Sequence, residues 1–250
     1  TADYVLIAIR YFREIGWRRM AVITSTDTSG QDAERAVDVA LALAENKSVT
    51  LVDREHFNPT DVSVGAQMAR IKAANPQWIF GWTTGTPLGT LLRGALDGGV
   101  AIPIYTSAGN LTYAQMTQYA QFLPKELYFS STPLLAPEVV TDRGVKGAIA
   151  QYDAGLIALN VKPDYVPSTA WDPALLVVDA LRKLGPDATA AQLRAYLAGL
   201  AGWTGVQGRY DFKLQPQRGL GPNNALIVRW DPAKGTWVGV SKLGGMPLGR

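Results

Sequence analysis

Residues 77–94, "QWIFGWTTGTPLGTLLRG", have the composition of a loop that holds an anion. A short apolar run ends in Thr and Gly, and an amphipathic helix follows at once. Free backbone N–H groups and the positive end of a helix dipole would then face the space above the loop. Two further segments share that composition, "TSTDTSG" (24–30) and "YTSAGN" (105–110). Phosphate transfer lacks its parts, because a P-loop needs Gly-Lys-Ser/Thr after its glycines and this loop has Leu and Arg. Gly85 and Gly89 are four apart, which is not the spacing of a dinucleotide fingerprint.

Other chemistries fail on inventory. The chain has one histidine, His56 at a strand end, and no cysteine. A His-rich or thiolate metal site cannot be assembled from that set, and a Ser-His-Asp triad would depend wholly on His56. There is no G-x-S-x-G elbow. No catalytic residue, metal ligand or cofactor is therefore expected. The net charge is +3, with Lys and Arg scattered rather than banked in a stripe with aromatics, so no nucleic-acid partner is expected. No run approaches the roughly 18–20 apolar residues of a membrane span.

The elements that position the three loops follow from hydrophobic periodicity. In "DYVLIAIRYFREIGW", Val5, Ile9 and Phe12 recur at helical spacing and Gly16 ends the helix. "MAVITS" reads as a buried strand, "GQDAERAVDVALALAEN" as a helix and "VTLVDREHF" as a half-buried strand. "DVSVGAQMARIKAANP" reads as a third helix with Asp61 at its N-cap and Asn75-Pro76 as its stop. "QWIFGW", "PLGTLLRGALDGG" and "IPIYTS" continue the alternation. Over residues 1–131 this predicts an α/β fold with a doubly wound, mostly parallel sheet.

The pattern then changes. Residues 138–200 hold three helical segments and no convincing strand. The middle one, "TAWDPALLVVDALRKLG", carries Leu175, Leu176, Val178, Leu181 and Leu184 on a face that needs a sheet to cover. Short strands "RYDF", "ALIVRW" and "TWVGV" close the chain.

Ligands of open α/β sheets bind outside the carboxyl ends of the strands. The three Ser/Thr/Gly/Asn loops lie there, and Trp82 adds an apolar wall, which suits a small molecule with a carboxylate and an apolar body. The same residues also serve the fold as N-caps and turns.

Four stretches in order carry a family resemblance: "YFREIGWRRMAVITSTDTSGQD", "HFNPTDVSVGAQMARIKAANPQWIF", "TAWDPALLVVDALRKLG" and "WTGVQGRYDF". Together they resemble the leucine/isoleucine/valine-binding family of ABC-transporter substrate-binding proteins, which have the type I periplasmic binding fold. The resemblance implies two α/β lobes that clamp a solute and deliver it to a membrane permease, with no covalent step. It implies that residues 1–132 form the second lobe, that 133–205 return as helices to an incomplete first lobe, and that 206–250 rejoin the second. It also implies a periplasmic protein whose natural start lies upstream of Thr1. The first lobe's own sheet and the export signal would then be cut away or present as a separate piece; failing that, helices 138–200 would self-associate.

In amino-acid-binding members an acidic residue after this lobe's fourth strand receives the ligand's ammonium. Here no carboxylate lies between Tyr105 and Leu111, and Ser29 stands where the family often has Tyr. The expected solute is therefore an organic acid, preferably an aromatic carboxylate. Ser29, Gly30, Thr84, Gly85, Ser107 and Asn110 would supply polar contacts, and Trp82 with Tyr113 or Trp171 would flank the ring. Trp171 fits a helix core as well as a pocket, and Asp172 before Pro173 fits a helix N-cap. Branched-chain amino acid or amide binding by the same fold, and a ligand-sensing regulatory domain, are the alternatives.

Overall fold

β1 (Arg19–Ser25) is apolar on both faces: Met20 and Val22 pack to one side of the sheet, Ala21 and Ile23 to the other, all fully buried. A strand buried on both sides requires helices on both sides, and alternating strands and helices supply them. In the computed structural model, which describes residues 1–249, α1 (Ala2–Glu14) and α2 (Thr28–Ala42) cover the first face. α3 (Gly65–Ala73), α4 (Pro87–Asp97) and α5 (Tyr113–Gln118) cover the second. β2 (Thr50–Phe57), β3 (Trp78–Trp82), β4 (Ile104–Thr106) and β5 (Leu127–Ser131) run parallel with β1, in the order β2-β1-β3-β4-β5. The doubly wound sheet read from the sequence is what forms.

Aromatic packing fixes α1 to the sheet. Phe12 stacks on Trp78 at 4.1 Å between ring centroids and on Trp17 at 5.6 Å, and Trp78 Nε1 donates to the Trp17 carbonyl at 3.2 Å. Gly16, at φ +92°, makes the turn that brings Trp17 back onto the helix. The third helix differs from its expected start. α3 begins at Gly65, and Asp61 instead accepts the Asn58 N–H at 2.8 Å, closing a turn one step earlier.

Beyond β5 the chain leaves the sheet. α6 (Arg143–Ala158), α7 (Tyr165–Leu184) and α8 (Ala190–Gly199) follow, then a separate antiparallel hairpin of β6 (Ala201–Gly205) and β7 (Gly208–Asp211). β7 therefore does not rejoin the large sheet, although the expected boundary at 206 placed it with the strands that do. β8 (Leu226–Asp231) and β9 (Thr236–Gly239) rejoin it, antiparallel, beside β5. α7 starts one turn before its expected start. Asp164 is its N-cap, accepting the Tyr165 N–H at 2.7 Å, and the helix runs through Pro173, so Asp172 is an interior residue and not a cap.

The inward face of α6 (Val145, Ile149, Tyr152 and Leu156) makes a small core with Leu134, with Val206 of the hairpin turn and with the partly buried Trp171 of α7. Among the described residues the outward faces of these helices meet no sheet. Ile157, Leu175, Val177, Val178 and Leu184 are all exposed, and α8 buries no residue.

Candidate functional site

The sheet order reverses between β1 and β3: the chain goes from β1 outward to β2, then back across to β3 and on to β5. Loops that leave these two strands diverge to opposite faces, which opens a crevice at their carboxyl ends. The loop after β1 leads to α2, and the loop after β3 leads to α4.

The two helix starts differ in what they can offer. At α2, Asp27 is the N-cap: its Oδ1 accepts the Gly30 N–H at 2.9 Å and the Ser25 hydroxyl at 2.9 Å. That helix end already has a carboxylate, so it repels a second anion. Gly30 is buried against β1 and serves the packing. At α4, Thr86 makes no side-chain cap and Pro87 opens the helix. Thr84 and Thr86 are exposed, and among the described residues their N–H groups have no partner. Gly85, at φ +75°, turns the chain between them, and its N–H donates to Asn110 Oδ1 at 3.1 Å. The free positive end at this crevice is therefore that of α4.

The loop after β4 is a brace. Asn110, fully buried, donates from Nδ2 to the Thr83 carbonyl at 2.8 Å and to Thr106 Oγ1 at 3.1 Å. Ser107 Oγ donates to the same carbonyl at 3.1 Å. Both side chains are spent on holding the β3 and β4 loops together, which corrects their expected role as direct solute contacts. Trp82 is corrected likewise. It is only 4% exposed, stacked on Phe80 at 5.5 Å, and its Nε1 donates to Ser29 Oγ at 3.2 Å. It is core, with one edge beneath the rim at Ser29.

Two candidates lie elsewhere. Tyr113 sits on the α3–α5 side, its hydroxyl 3.1 Å from Thr236 Oγ1. Trp171 packs edge-on against Tyr152 at 5.2 Å between α6 and α7. The structure thus brings together Ser29, Thr84, Gly85 and the bracing pair Ser107 and Asn110. It adds two residues that sequence reasoning missed: the Thr24 and Thr83 hydroxyls, buried at the ends of β1 and β3, have no hydrogen-bond partner among the described residues. A buried hydroxyl without a partner is a site for water or a bound group. Only strand register could have pointed to them, since Thr24 pairs across from Trp82.

No lysine or arginine lies in the strand-end segments 24–30, 81–87 and 105–110, and Asp27 is their one carboxylate. Among the described residues no group of three or more His, Cys, Asp or Glu could hold a metal ion. No described helix is long and apolar enough to cross a membrane.

Charge elsewhere sets a pH response. Burial holds the Asp153, Asp164 and Asp172 carboxyls above the ordinary range. Such groups favour the folded state fully below the unfolded value, and that share is lost as pH rises through the folded value. Hydrogen bonds hold Asp32 (to the N-terminal residue), Glu55 (to Arg70) and Asp142 (to the Val145 N–H) below it. Their share is present above the unfolded value and lost as pH falls through the folded one. Tm should therefore rise as pH falls from 7 toward about 5, then drop below about pH 4. Asp164→Asn, which keeps a capping oxygen, should flatten the upper limb; a melting series with the opposite slope there would refute the assignment.

Comparison with known proteins bears on the whole arrangement. A family model described as "Periplasmic binding protein" matches residues 2–236. Curated proteins give no match. Among solved structures, the chain is similar to an extracellular ligand-binding receptor from Rhodopseudomonas palustris HaA2, at 18% identity and TM-score 0.77, covering 95% of this chain and 68% of that one. It is similar to LivJ of Streptococcus pneumoniae in complex with isoleucine, at 17% identity and TM-score 0.75, covering 95% and 64%. It is also similar to the leucine-binding protein LivK of Thermotoga maritima, at 14% identity and TM-score 0.75, covering 94% and 63%. This chain thus spans about two thirds of the length of those structures.

Proposed function

Since the chain belongs to the periplasmic binding protein family, we propose that it captures a small organic acid, preferably an aromatic carboxylate, and hands it to an ABC permease without catalysing a reaction. Residues 1–132 with β8 and β9 act as one lobe of the clamp in the periplasm. The helices α6–α8 with the β6–β7 hairpin belong to the other lobe, whose sheet is supplied by an upstream segment that covers the outward faces of α6–α8. Self-association through those helices is the rival way to cover them.

One observation carries the choice of solute. At the crevice the free polar groups are hydroxyls and the N–H groups of Thr84 and Thr86 at the start of α4, with no unspent carboxylate to receive an ammonium. An amine placed there loses its charged partner, whereas a carboxylate oxygen meets donors and a positive helix end. The ring of the solute lies beside Ser29 and finds its aromatic or apolar walls on the completing lobe. A neutral amide is the second reading, favoured by Asp27, whose carboxylate sits across the crevice at the start of α2 and repels anions.

The test is a thermal-shift panel on the chain joined to its upstream half, comparing substituted benzoates, branched-chain amino acids and short amides. A ligand at a hundredfold excess over Kd stabilises by about 2.7 kcal/mol. Selective stabilisation by aromatic acids is expected, and Thr84→Pro, which removes an N–H at the α4 end, should abolish it. Stabilisation by leucine or valine alone would overturn the solute assignment.

A further inference from the structure

We propose that the cavity where α5, α6 and β9 meet is a binding site for a small organic ammonium ion, and that the protein's own Lys162 occupies it. The cavity measures about 270 Å³ and is walled by Tyr113, Leu135, Asp153, Ile157, Lys162 and Thr236. None of these belongs to the three strand-end loops, so the inference is independent of the proposed solute site.

The Tyr113 ring is a fixed platform. Its hydroxyl is tied to Thr236 Oγ1 at 3.1 Å, its backbone N–H donates to Asp164 Oδ2 at 3.2 Å, and its ring lies 6.1 Å from both Trp230 and Trp237. A ring held on three sides keeps one face open to the cavity. Over that face stands the Lys162 ammonium, 3.3 Å from the ring centroid. A cation so placed gains about 0.5–1 kcal/mol when exposed and about 2 or more when dry.

The second part is a carboxylate without a counter-ion. Asp153, half-buried in the cavity wall, has no hydrogen bond or ion pair among the described residues. Burial alone raises its carboxyl, with no neighbouring cation acting against it. The Lys162 charge acts on Asp164 and not on Asp153, but the two oxygens of Asp164 already cap the Tyr113 and Tyr165 N–H groups, which leaves Asp153 as the carboxylate without a partner. An aromatic face, an unpaired carboxylate and the apolar walls of Leu135 and Ile157 suit an ammonium with a short hydrocarbon arm. Lys162 supplies only the ammonium and reaches it from the α6–α7 loop, which follows Asn160 at φ +59°. As a tethered competitor it acts at an effective concentration in the millimolar range, so free amines bind weakly until it is removed.

The experiment titrates n-butylammonium and tetramethylammonium against the 250-residue chain and its Lys162→Met variant, with n-butanol and NaCl as controls at matched ionic strength. Binding is read by calorimetry and thermal shift. Lys162→Met should bind the ammonium ions on the order of tenfold more tightly than the parent, and adding Asp153→Asn should remove most of that gain. A second readout needs no variant: the Lys162 ε-methylene protons, shifted upfield over the ring, should move toward their ordinary position as ammonium is added. The proposal is overturned if Lys162→Met responds no better to ammonium than to butanol. It is equally overturned if Asp153→Asn leaves the binding intact, or if the ε-methylene signal follows NaCl alone.

Discussion

Asp172→Ala should cost about 3–5 kcal/mol, because it leaves two backbone N–H groups and a phenol without their acceptor in the interior. The carboxylate is fully buried in the middle of α7. It accepts the Val206 N–H at 2.9 Å, the Gln207 N–H at 2.9 Å and the Tyr210 hydroxyl at 3.1 Å. Together these fasten the turn of the β6–β7 hairpin to α7, and Gln207 Nε2 adds a bond to the Ser168 carbonyl at 2.9 Å. Gly205 belongs to the same clasp, since a Cβ there would lie 2.3 Å from the carboxylate. Desolvation raises the carboxyl and the three donors pull it back, so the net direction is upward.

Asp172→Asn separates charge from geometry. The amide offers one acceptor oxygen and turns an NH2 toward one of the two backbone N–H groups, so it should also destabilise, by less than alanine. Urea unfolding of the three chains decides the matter. If alanine falls within about 1 kcal/mol of the parent, inside the spread of ordinary surface changes, the clasp is not what holds the hairpin.

Gly30→Ala should be the second large loss, at about 1–3 kcal/mol or more. A Cβ at Gly30 would sit 1.8 Å from the Ser25 carbonyl oxygen and 2.7 Å from its carbon. Both are main-chain atoms of β1, so no side chain can swing aside, and the first turn of α2 must lift off the strand. That movement breaks the Asp27 cap at Gly30 and shifts Ser29 away from the Trp82 N–H. Gly147 on the exposed side of α6 is the matched control, with nothing within 4 Å of its Cβ position. Alanine there should be neutral or stabilising by up to about 1 kcal/mol, the helix propensity gain. Parallel melting of the two variants is the measurement, and equal effects would show that the α2–β1 contact can relax.

Period and composition determined the first 131 residues of this protein. A strand such as "MAVITS" is apolar at four consecutive positions, Met20 to Ile23, so it must be buried on two faces, and the helices between strands carry one apolar face each. The inventory was equally visible, since one histidine and no cysteine narrow the chemistry before any fold is known. So was the apolar face of α7, because an amphipathic stripe is a local property of the sequence.

Tertiary structure decided what each polar residue is for. Asn110, Ser107 and Trp82 have the composition of a binding loop, yet they brace β3 to β4 and fill the core, because their partners lie 24 to 53 residues away. Asp27 and Thr86 look interchangeable as N-caps; only the structure shows that α2 is closed by a carboxylate and α4 is open. Asp172 reads as a cap before a proline, and becomes the anchor of a hairpin whose turn is 34 residues on. Local pattern follows from periods of two and 3.6 residues, which a sequence displays directly. A side chain's use depends on which distant donor or acceptor the fold brings within about 3 Å, and no spacing along the chain encodes that.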